Sequence, residues 1–264
     1  MIKCSIITIC YNNCAGLRRT VESVVAQSYK DYEFIVIDGG STDGSADVIK
    51  EYSSYIAFGV SEKDSGIYNA MNKGTGHATG EYCLYLNSGD YFSDSDALLR
   101  VFSKGYCEEI IYGDVIRTRG KKKKVVRYPD TLTTKDFCKR SASIHHQAAF
   151  IKRDLLNRMG GYREDLYLSS DWHFFFNAVM KEKASTRHIR TVVSVCDALG
   201  RSNAYASDDP RIRRDKEAKD EELKAYGISR LEDGSVGDKF NICDKLVWNI
   251  SPLIPLSVFI KLCK

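Results

Sequence analysis

The sequence predicts an α/β fold: a mostly parallel sheet flanked by helices, with a helical C-terminal extension. Two observations carry this. Short β-branched runs alternate with amphipathic stretches through the first hundred residues, the order that builds a parallel sheet through right-handed crossovers. The leading run also lacks a polar face, as a strand covered by helices on both sides must.

The elements follow in order. Ser5-Ile6-Ile7-Thr8-Ile9 is the first strand, and Leu17, Val21, Val24 and Val25 mark the apolar stripe of a helix behind it. Phe34-Ile35-Val36-Ile37 is the second strand, ending at Asp38 and the turn residues Gly39, Gly40 and Ser41. A helix over Gly44 to Tyr52, a strand near Ile56 to Val60, a helix over 66–78 and a strand at Tyr82 to Leu86 complete the regular part. Beyond it the pattern is mixed. Ser93 to Ser103 reads as helix, Ile110-Ile111-Tyr112 opens a strand, Gly120 to Lys124 reads as a hairpin tip and a solvated loop, and Gln147 to Ile151 as a strand. Trp172, Phe175, Phe176, Val179 and Met180 give one more helical stripe, and Asp208 to Lys224 a solvated charged helix or linker.

Composition narrows the class. With 43% hydrophobic residues, 16 Tyr and 11 Phe the chain has material for a core, which excludes wholesale disorder. A net charge of +4 over 264 residues does not call for a nucleic-acid partner, and none is expected. The 9 cysteines are odd in number and include no Cys-x-x-Cys pair, so zinc ribbons and thioredoxin-type sites are unsupported. Several lie in apolar runs and read as small hydrophobes, and the first strand is too short for a secretory core, so a cytoplasmic, reduced protein is expected. The stretch Leu246 to Leu262 is apolar but broken by Pro252 and Pro255, too short and interrupted to span a bilayer. Lys239, Lys245, Lys261, Lys264 and Trp248 give it the make-up of a segment lying in a membrane interface on the inner face of the plasma membrane; docking on the protein's own core is the competing reading.

In an open parallel sheet, ligands bind beyond the carboxyl ends of the strands. Tyr11, Asn12 and Asn13 follow the first strand, Asp38 the second, Glu62, Asp64 and Gly66 the third, and Asn87, Ser88, Gly89 and Asp90 the fourth. Each alone could be a helix cap or an Asx turn; in register they read as a ligand crevice. No strand leads into G-x-G-x-x-G, no P-loop occurs and no G-x-S-x-G elbow exists, so dinucleotide, P-loop and hydrolase sites are excluded. A nucleoside diphosphate with a divalent cation on Asp90 remains.

The segment from Ser5 to Asp43, SIITICYNNCAGLRRTVESVVAQSYKDYEFIVIDGGSTD, resembles the opening of the inverting family 2 glycosyltransferases. Ser61 to Phe92, SEKDSGIYNAMNKGTGHATGEYCLYLNSGDYF, is similar to their next block, and SSDWHFFF to the block that holds the catalytic base. The resemblance covers residues 3–195 and implies a GT-A fold that binds a sugar nucleotide. It implies a main domain over 1–205, with a nucleotide-sugar half over 1–92 and an acceptor and catalytic half over 93–205, and an extension over 206–264. Carried over residue by residue, Tyr11 contacts the base, Asp38 its imino N–H, Thr8 lines the same strand end, Asp64 seats the nucleoside and Lys73 lies near the phosphates.

The family's paired metal carboxylates are reduced here to Asn87-Ser88-Gly89-Asp90, leaving Asp90 to hold Mn²⁺ or Mg²⁺. Asp171 is the implied general base and His146 an acceptor-side or metal-proximal candidate. The implied activity is inverting transfer from a nucleoside diphosphate sugar, a UDP-sugar in the first instance, to a saccharide or lipid-linked acceptor in surface polysaccharide synthesis. Two rivals stay open. A sugar nucleotidyltransferase would carry a Gly- and Arg-rich loop where Tyr11-Asn12-Asn13 stands, and a degenerate saccharide-binding scaffold would suit the reduced metal motif.

Overall fold

A computed structural model describes residues 3–138, 144–197 and 208–228. The apolar tail over 246–262 and its flanking lysines lie outside the described residues. Among those described, no helix is long and apolar enough to cross a membrane.

The first half folds as its pattern dictates. Strands β1 (Cys4–Cys10), β2 (Tyr32–Asp38), β3 (Phe58–Ser61) and β4 (Tyr82–Tyr85) pair in parallel in the order β3-β2-β1-β4. Helices α1 (Cys14–Val25), α2 (Ser45–Glu51) and α3 (Ile67–Gly76) connect them. β1 is buried on both faces because its side chains alternate between two cores: Cys4, Ile6 and Cys10 meet Leu17, Val21 and Val24 of α1, while Ile7 meets Tyr68 and Met71 of α3. Gly74 lets α3 lie close on β1, since a Cβ there would fall 2.4 Å from a methyl of Ile7. Gly74 therefore serves packing.

The second half extends the same sheet with reversed strands. β5 (Tyr91–Phe92), α4 (Ala97–Phe102), β6 (Ile110–Arg119), β7 (Lys122–Val126) and α5 (Thr134–Cys138) come next. A 3₁₀ turn (His146–Ala148) then leads into β8 (Ala149–Lys152), α6 (Arg153–Met159), α7 (Ser170–Phe176) and β9 (Thr186–Asp197). The sheet order is β3-β2-β1-β4-β8-β6-β9-β5, with β7 paired to β6. β8 is antiparallel to both β4 and β6, and β9 is parallel to β6 and antiparallel to β5.

Several expectations need correction. β9 was not foreseen: its first part is a charged run, Thr186 to Arg190, with no period-2 apolar signal. The hairpin is tighter than expected, because Arg119 pairs with Lys122 and only Gly120 and Lys121 form the turn, so Lys122 to Lys124 are strand residues. The Trp172 stripe is buried all round, and a π-helical turn (Asn177–Lys181) follows α7 and shifts its phase. The charged segment is helix α8 (Pro210–Ala225), opened by an Asp209 cap and Pro210. It is docked, with Ile212, Asp215, Ala218 and Leu223 buried.

Candidate active site

A cleft of about 1270 Å³ opens where β1, β2, β3 and β4 end. Tyr11 comes off β1, Gly39 and Gly40 off β2, Lys63 to Gly66 off β3, and Asn87 to Asp90 beyond β4. Tyr11 is 54% exposed, an aromatic face open to the cleft. Gly39 is wedged between two of these residues: a Cβ there would stand 2.5 Å from Asp64 Oδ2 and 3.2 Å from the Tyr11 ring. A larger residue at 39 would push ring and carboxylate apart. The other Asp64 oxygen accepts the Gly66 N–H at 2.9 Å, an Asx turn that aims the first at Gly39.

The turn from Asn87 to Asp90 is pinned from α1. Gly89 N–H donates to Thr20 Oγ1 (3.0 Å), that hydroxyl donates to the Asp90 carbonyl (2.6 Å), and Asn13 Nδ2 donates to the Ser88 carbonyl (3.0 Å). Arg19, stacked 4.8 Å from the Tyr91 ring centre, donates to the Gly89 carbonyl. Asp90 is thereby held in a buried position, its Oδ2 accepting Gln147 Nε2 at 3.0 Å. Burial pushes its pKa up to about 6, against the Gln147 hydrogen bond and the charges of His146 and Arg19.

Asp171 faces the same cleft from the second residue of α7. Its Oδ1 accepts Tyr68 OH (3.3 Å) and Trp172 N–H (2.8 Å), and its Oδ2 lies 3.2 Å from His146 Nδ1. The N-cap position belongs to Ser169, so this carboxylate is committed to side chains across the cleft and to its neighbour's N–H. His146 Nε2 lies 3.2 Å from Asn87 Nδ2. Asn87 and Asp171 thus flank the two ring nitrogens and fix the orientation of the imidazole. Burial alone would raise the Asp171 pKa; the His146 hydrogen bond and charge, with the Trp172 N–H, outweigh it and hold the group below the usual carboxylate range. Asp171 is therefore ionised at neutral pH.

A divalent cation was expected at Asp90. Among the described residues no three His, Cys, Asp or Glu side chains converge. Asn87 Oδ1 and Gln147 Oε1, however, are both buried without a hydrogen-bond partner, and both residues line the cleft with Asp90. An orphaned buried acceptor costs about 1–3 kcal/mol. One carboxylate with two amide oxygens is the donor chemistry of a hard cation that takes its remaining ligands from water and phosphate. The residues fit such an ion.

Three expected residues do not reach the cleft. Thr8 is fully buried, its hydroxyl donating to the Leu86 carbonyl at 2.7 Å, and it ties β1 to the end of β4. Asp38 is also fully buried, accepting Ser41 N–H (2.9 Å), Ser41 Oγ (2.5 Å) and Ser61 Oγ (2.6 Å). It shapes the turn that carries Gly39 and, fully buried, does not line the cleft. Lys73 points outward to Glu62 at 2.7 Å. Sequence reasoning missed Arg19, Gln147, Asp197 and, from α8, Arg211 and Arg214, all in the cleft wall. The Asp-Pro start of α8 and its buried 212, 215, 218 series could have signalled that the helix packs against the protein. Asp215 fixes it there by accepting the N–H groups of Tyr167 (2.8 Å) and Leu168 (2.6 Å).

The sequence model described as Glycosyl transferase family 2 matches residues 5–160. A Mycobacterium tuberculosis protein named as an uncharacterized glycosyltransferase is 35% identical over 201 residues, 74% of this chain and 75% of that protein. A PGL/p-HBAD biosynthesis glycosyltransferase of Mycobacterium bovis is 28% identical over 204 residues, 74% of this chain and 77% of that one. Among solved structures, S. aureus TarS in complex with UDP-GlcNAc superposes with a TM-score of 0.64 at 16% identity, covering 94% of this chain and 79% of that chain. The mannosyltransferase PcManGT of Pyrobaculum calidifontis, in complex with GDP-Man and Mn2+, superposes with a TM-score of 0.58 at 17% identity, covering 98% and 87%. At these identities the structural likeness speaks for the fold alone.

Proposed function

The chain belongs to glycosyl transferase family 2, and from that premise we propose that it transfers a hexose-type sugar from a UDP-sugar to a hydroxyl of a saccharide or lipid-linked acceptor, with inversion, in surface polysaccharide synthesis. The observation that carries this is an ionised, part-buried Asp171 and a buried Asp90 facing one cleft.

Residues 1–92 form the donor half in this reading, and 93–205 the acceptor half. The base stacks on Tyr11, and Asp64 beside Gly39 accepts from the nucleoside. Arg19 and Lys63 lend positive charge toward the diphosphate. Asp90, with the Asn87 and Gln147 amide oxygens, would hold Mn²⁺ or Mg²⁺, which when bound neutralises charge growing on the departing diphosphate.

Asp171 accepts the proton of the acceptor hydroxyl as the oxygen attacks the anomeric carbon from the face opposite the leaving group. Tyr68 and His146 hold the carboxylate in place. His146, itself held against Asn87, keeps the Asp171 carboxylate turned toward the acceptor side of the cleft. His146 is thus a positioning residue on the acceptor side.

Calorimetry with UDP, GDP and dTDP, each with and without Mn²⁺, tests the donor site. Tightest binding of UDP, strengthened by Mn²⁺, is the expected result. Absence of binding by all three would leave a degenerate scaffold.

A further inference from the structure

Helix α8 lies against α7 from the approach to that helix to the π-helical turn beyond it. The Arg211 guanidinium stands 3.9 Å from the centre of the Tyr167 ring, just ahead of α7, and the Lys219 ammonium 4.3 Å from the centre of the Trp172 ring. Glu222 pairs with Lys181, and its other carboxylate oxygen lies 3.6 Å from His173 Nδ1. Just past the end of α8, Tyr226 donates its hydroxyl to the Met180 carbonyl at 3.0 Å. Positions 211, 215, 219, 222 and 226 recur every three or four residues, so these contacts share one helix face with Asp215. The segment reads as solvated in the sequence because this contact face is largely charged.

Asp215 differs from the rest of that face. It is fully buried, and what it holds is main chain: Oδ1 accepts the Tyr167 N–H at 2.8 Å and Oδ2 the Leu168 N–H at 2.6 Å. One oxygen on each of two consecutive N–H groups fixes the direction of the chain as well as its distance. The next residue, Ser169, is the N-cap of α7, yet its hydroxyl makes no capping bond. Ser169 Oγ and Ser170 Oγ are both buried without a hydrogen-bond partner among the described residues. A helix start is ordinarily held by its cap side chain; here α8 holds it through Asp215. Asp171 stands in the turn that follows, and its contacts with Tyr68 and His146, at 3.3 and 3.2 Å, leave little slack. A misplacement of about 1 Å at a reacting group costs about a hundredfold in rate.

We propose that Asp215 is a positioning residue for sugar transfer: by holding the Tyr167 and Leu168 N–H groups it sets the first turn of α7, and with it the place of the Asp171 carboxylate. The proposal rests on the reading of Asp171 as the general base and names what aims it. Asp215 touches neither donor nor acceptor, so its removal acts on the rate of the chemical step and leaves nucleotide binding alone.

A double-mutant cycle tests this. Hydrolysis of UDP-glucose, UDP-galactose and UDP-GlcNAc, with water as the acceptor, is measured for the wild type, Asp215→Ala, Asp171→Asn and the double variant. Asp215→Ala should lower kcat at least about tenfold in the wild-type background and less than about threefold in the Asp171→Asn background, with KM and UDP affinity within about twofold throughout. An equal fall in both backgrounds overturns the proposal, because Asp215 would then act on the fold at large. An unchanged kcat overturns it too, as does a loss carried by KM. The control, Tyr226→Phe, removes a contact from the same face of α8 at the far end of α7 and should leave kcat within about twofold; a loss matching that of Asp215→Ala also overturns the proposal. Amide exchange reads the link without turnover. The Trp172 N–H, bonded to Asp171 Oδ1, should exchange at least about tenfold faster in Asp215→Ala and within about threefold of the wild type in Tyr226→Phe; equal rates in the two variants overturn the link. Should Asp215→Ala not fold, Asp215→Asn, which keeps one acceptor oxygen, takes its place in the cycle. Absence of turnover by the wild type, with the exchange contrast intact, is a different result, which removes the glycosyl-transfer reading and leaves the hold of Asp215 on α7 standing.

Discussion

Tyr11, Gly39, Asp64 and Asp90 reach the cleft from loops that each follow their own parallel strand, whereas His146, Gln147, Asp171, Asp197 and Arg214 come from a 3₁₀ turn, a buried helix, an antiparallel extension and a docked helix. On the first wall, sequence order and spatial order agree, because a parallel sheet brings all its carboxyl ends to one edge. On the second wall they do not. His146 meets Asp171 and Asn87 across 25 and 59 residues of chain. What a residue does on the first wall follows from its place after a strand. On the second it follows from what the fold sets opposite it.

The largest effect expected tests the second wall. Asp171→Asn keeps size and hydrogen-bonding shape and removes the proton acceptor. General-base catalysis contributes about 10²–10⁴ in rate, so sugar transfer should fall at least about a hundredfold while UDP affinity stays within about twofold. Wild-type transfer by this variant, measured with any acceptor that the native enzyme uses, would return Asp171 to a structural role.

The same contrast governs how much could be read in advance. The parallel half and its strand ends follow from apolar runs and turn residues, which are local signals. Asp171 was reached through a likeness of motif. That its carboxylate is held by His146 and Tyr68 rather than spent on a helix cap is a fact of tertiary contact. Strand β9 was illegible because its edge carries Arg187, His188 and Arg190, which pair with Glu108, Asp114 and Asp130 and mask any apolar alternation. The first wall misled in its own way. Thr8 and Asp38 stand at the right strand but face its interior, and a strand's sequence position alone does not separate those two fates.

Next in size is Asp90, where the two walls meet through Gln147. Its folded pKa of about 6 lies above the ordinary 3.8, so its contribution to stability is full below about pH 4 and is lost as pH rises through 6. In metal-free protein Asp90→Asn should therefore raise stability at pH 7.5 by at most about 3 kcal/mol, with the gain fading between about pH 6 and 4. Mn²⁺ should stabilise the wild type and not the variant. Thermal melts at pH 4, 6 and 7.5, with and without Mn²⁺, check both. A variant that loses stability at pH 7.5 in the absence of metal would mean that Asp90 is stabilised as a carboxylate by partners of its own.

Asp38 sharpens the comparison from the first wall. Removing a buried acceptor of three hydrogen bonds by Asp38→Ala should lower stability by about 2 kcal/mol, seen as a lower urea midpoint with unchanged slope. UDP affinity of the folded variant should change less than about threefold. A tenfold loss of affinity at full stability would instead give Asp38 the base-reading role that its strand position suggests.

The smallest effect separates two lysines that the sequence alone cannot tell apart. Lys73 pairs with Glu62 at a partly exposed site, and such pairs contribute about 0–1 kcal/mol. Lys63 lines the cleft. Unit charges about 4 Å apart in water interact by about 1 kcal/mol, which is roughly fivefold in affinity for a diphosphate. Lys63→Met should weaken UDP binding by about that factor, more at low salt than at high, because screening shortens its reach. Lys73→Met should leave UDP affinity within about twofold at every salt concentration and lower stability by less than 1 kcal/mol. The reverse ranking would mean that Lys73 abandons Glu62 for the phosphates when nucleotide binds. α3 would then belong to the part of the cleft whose residues must be judged by what they meet and not by where they follow a strand.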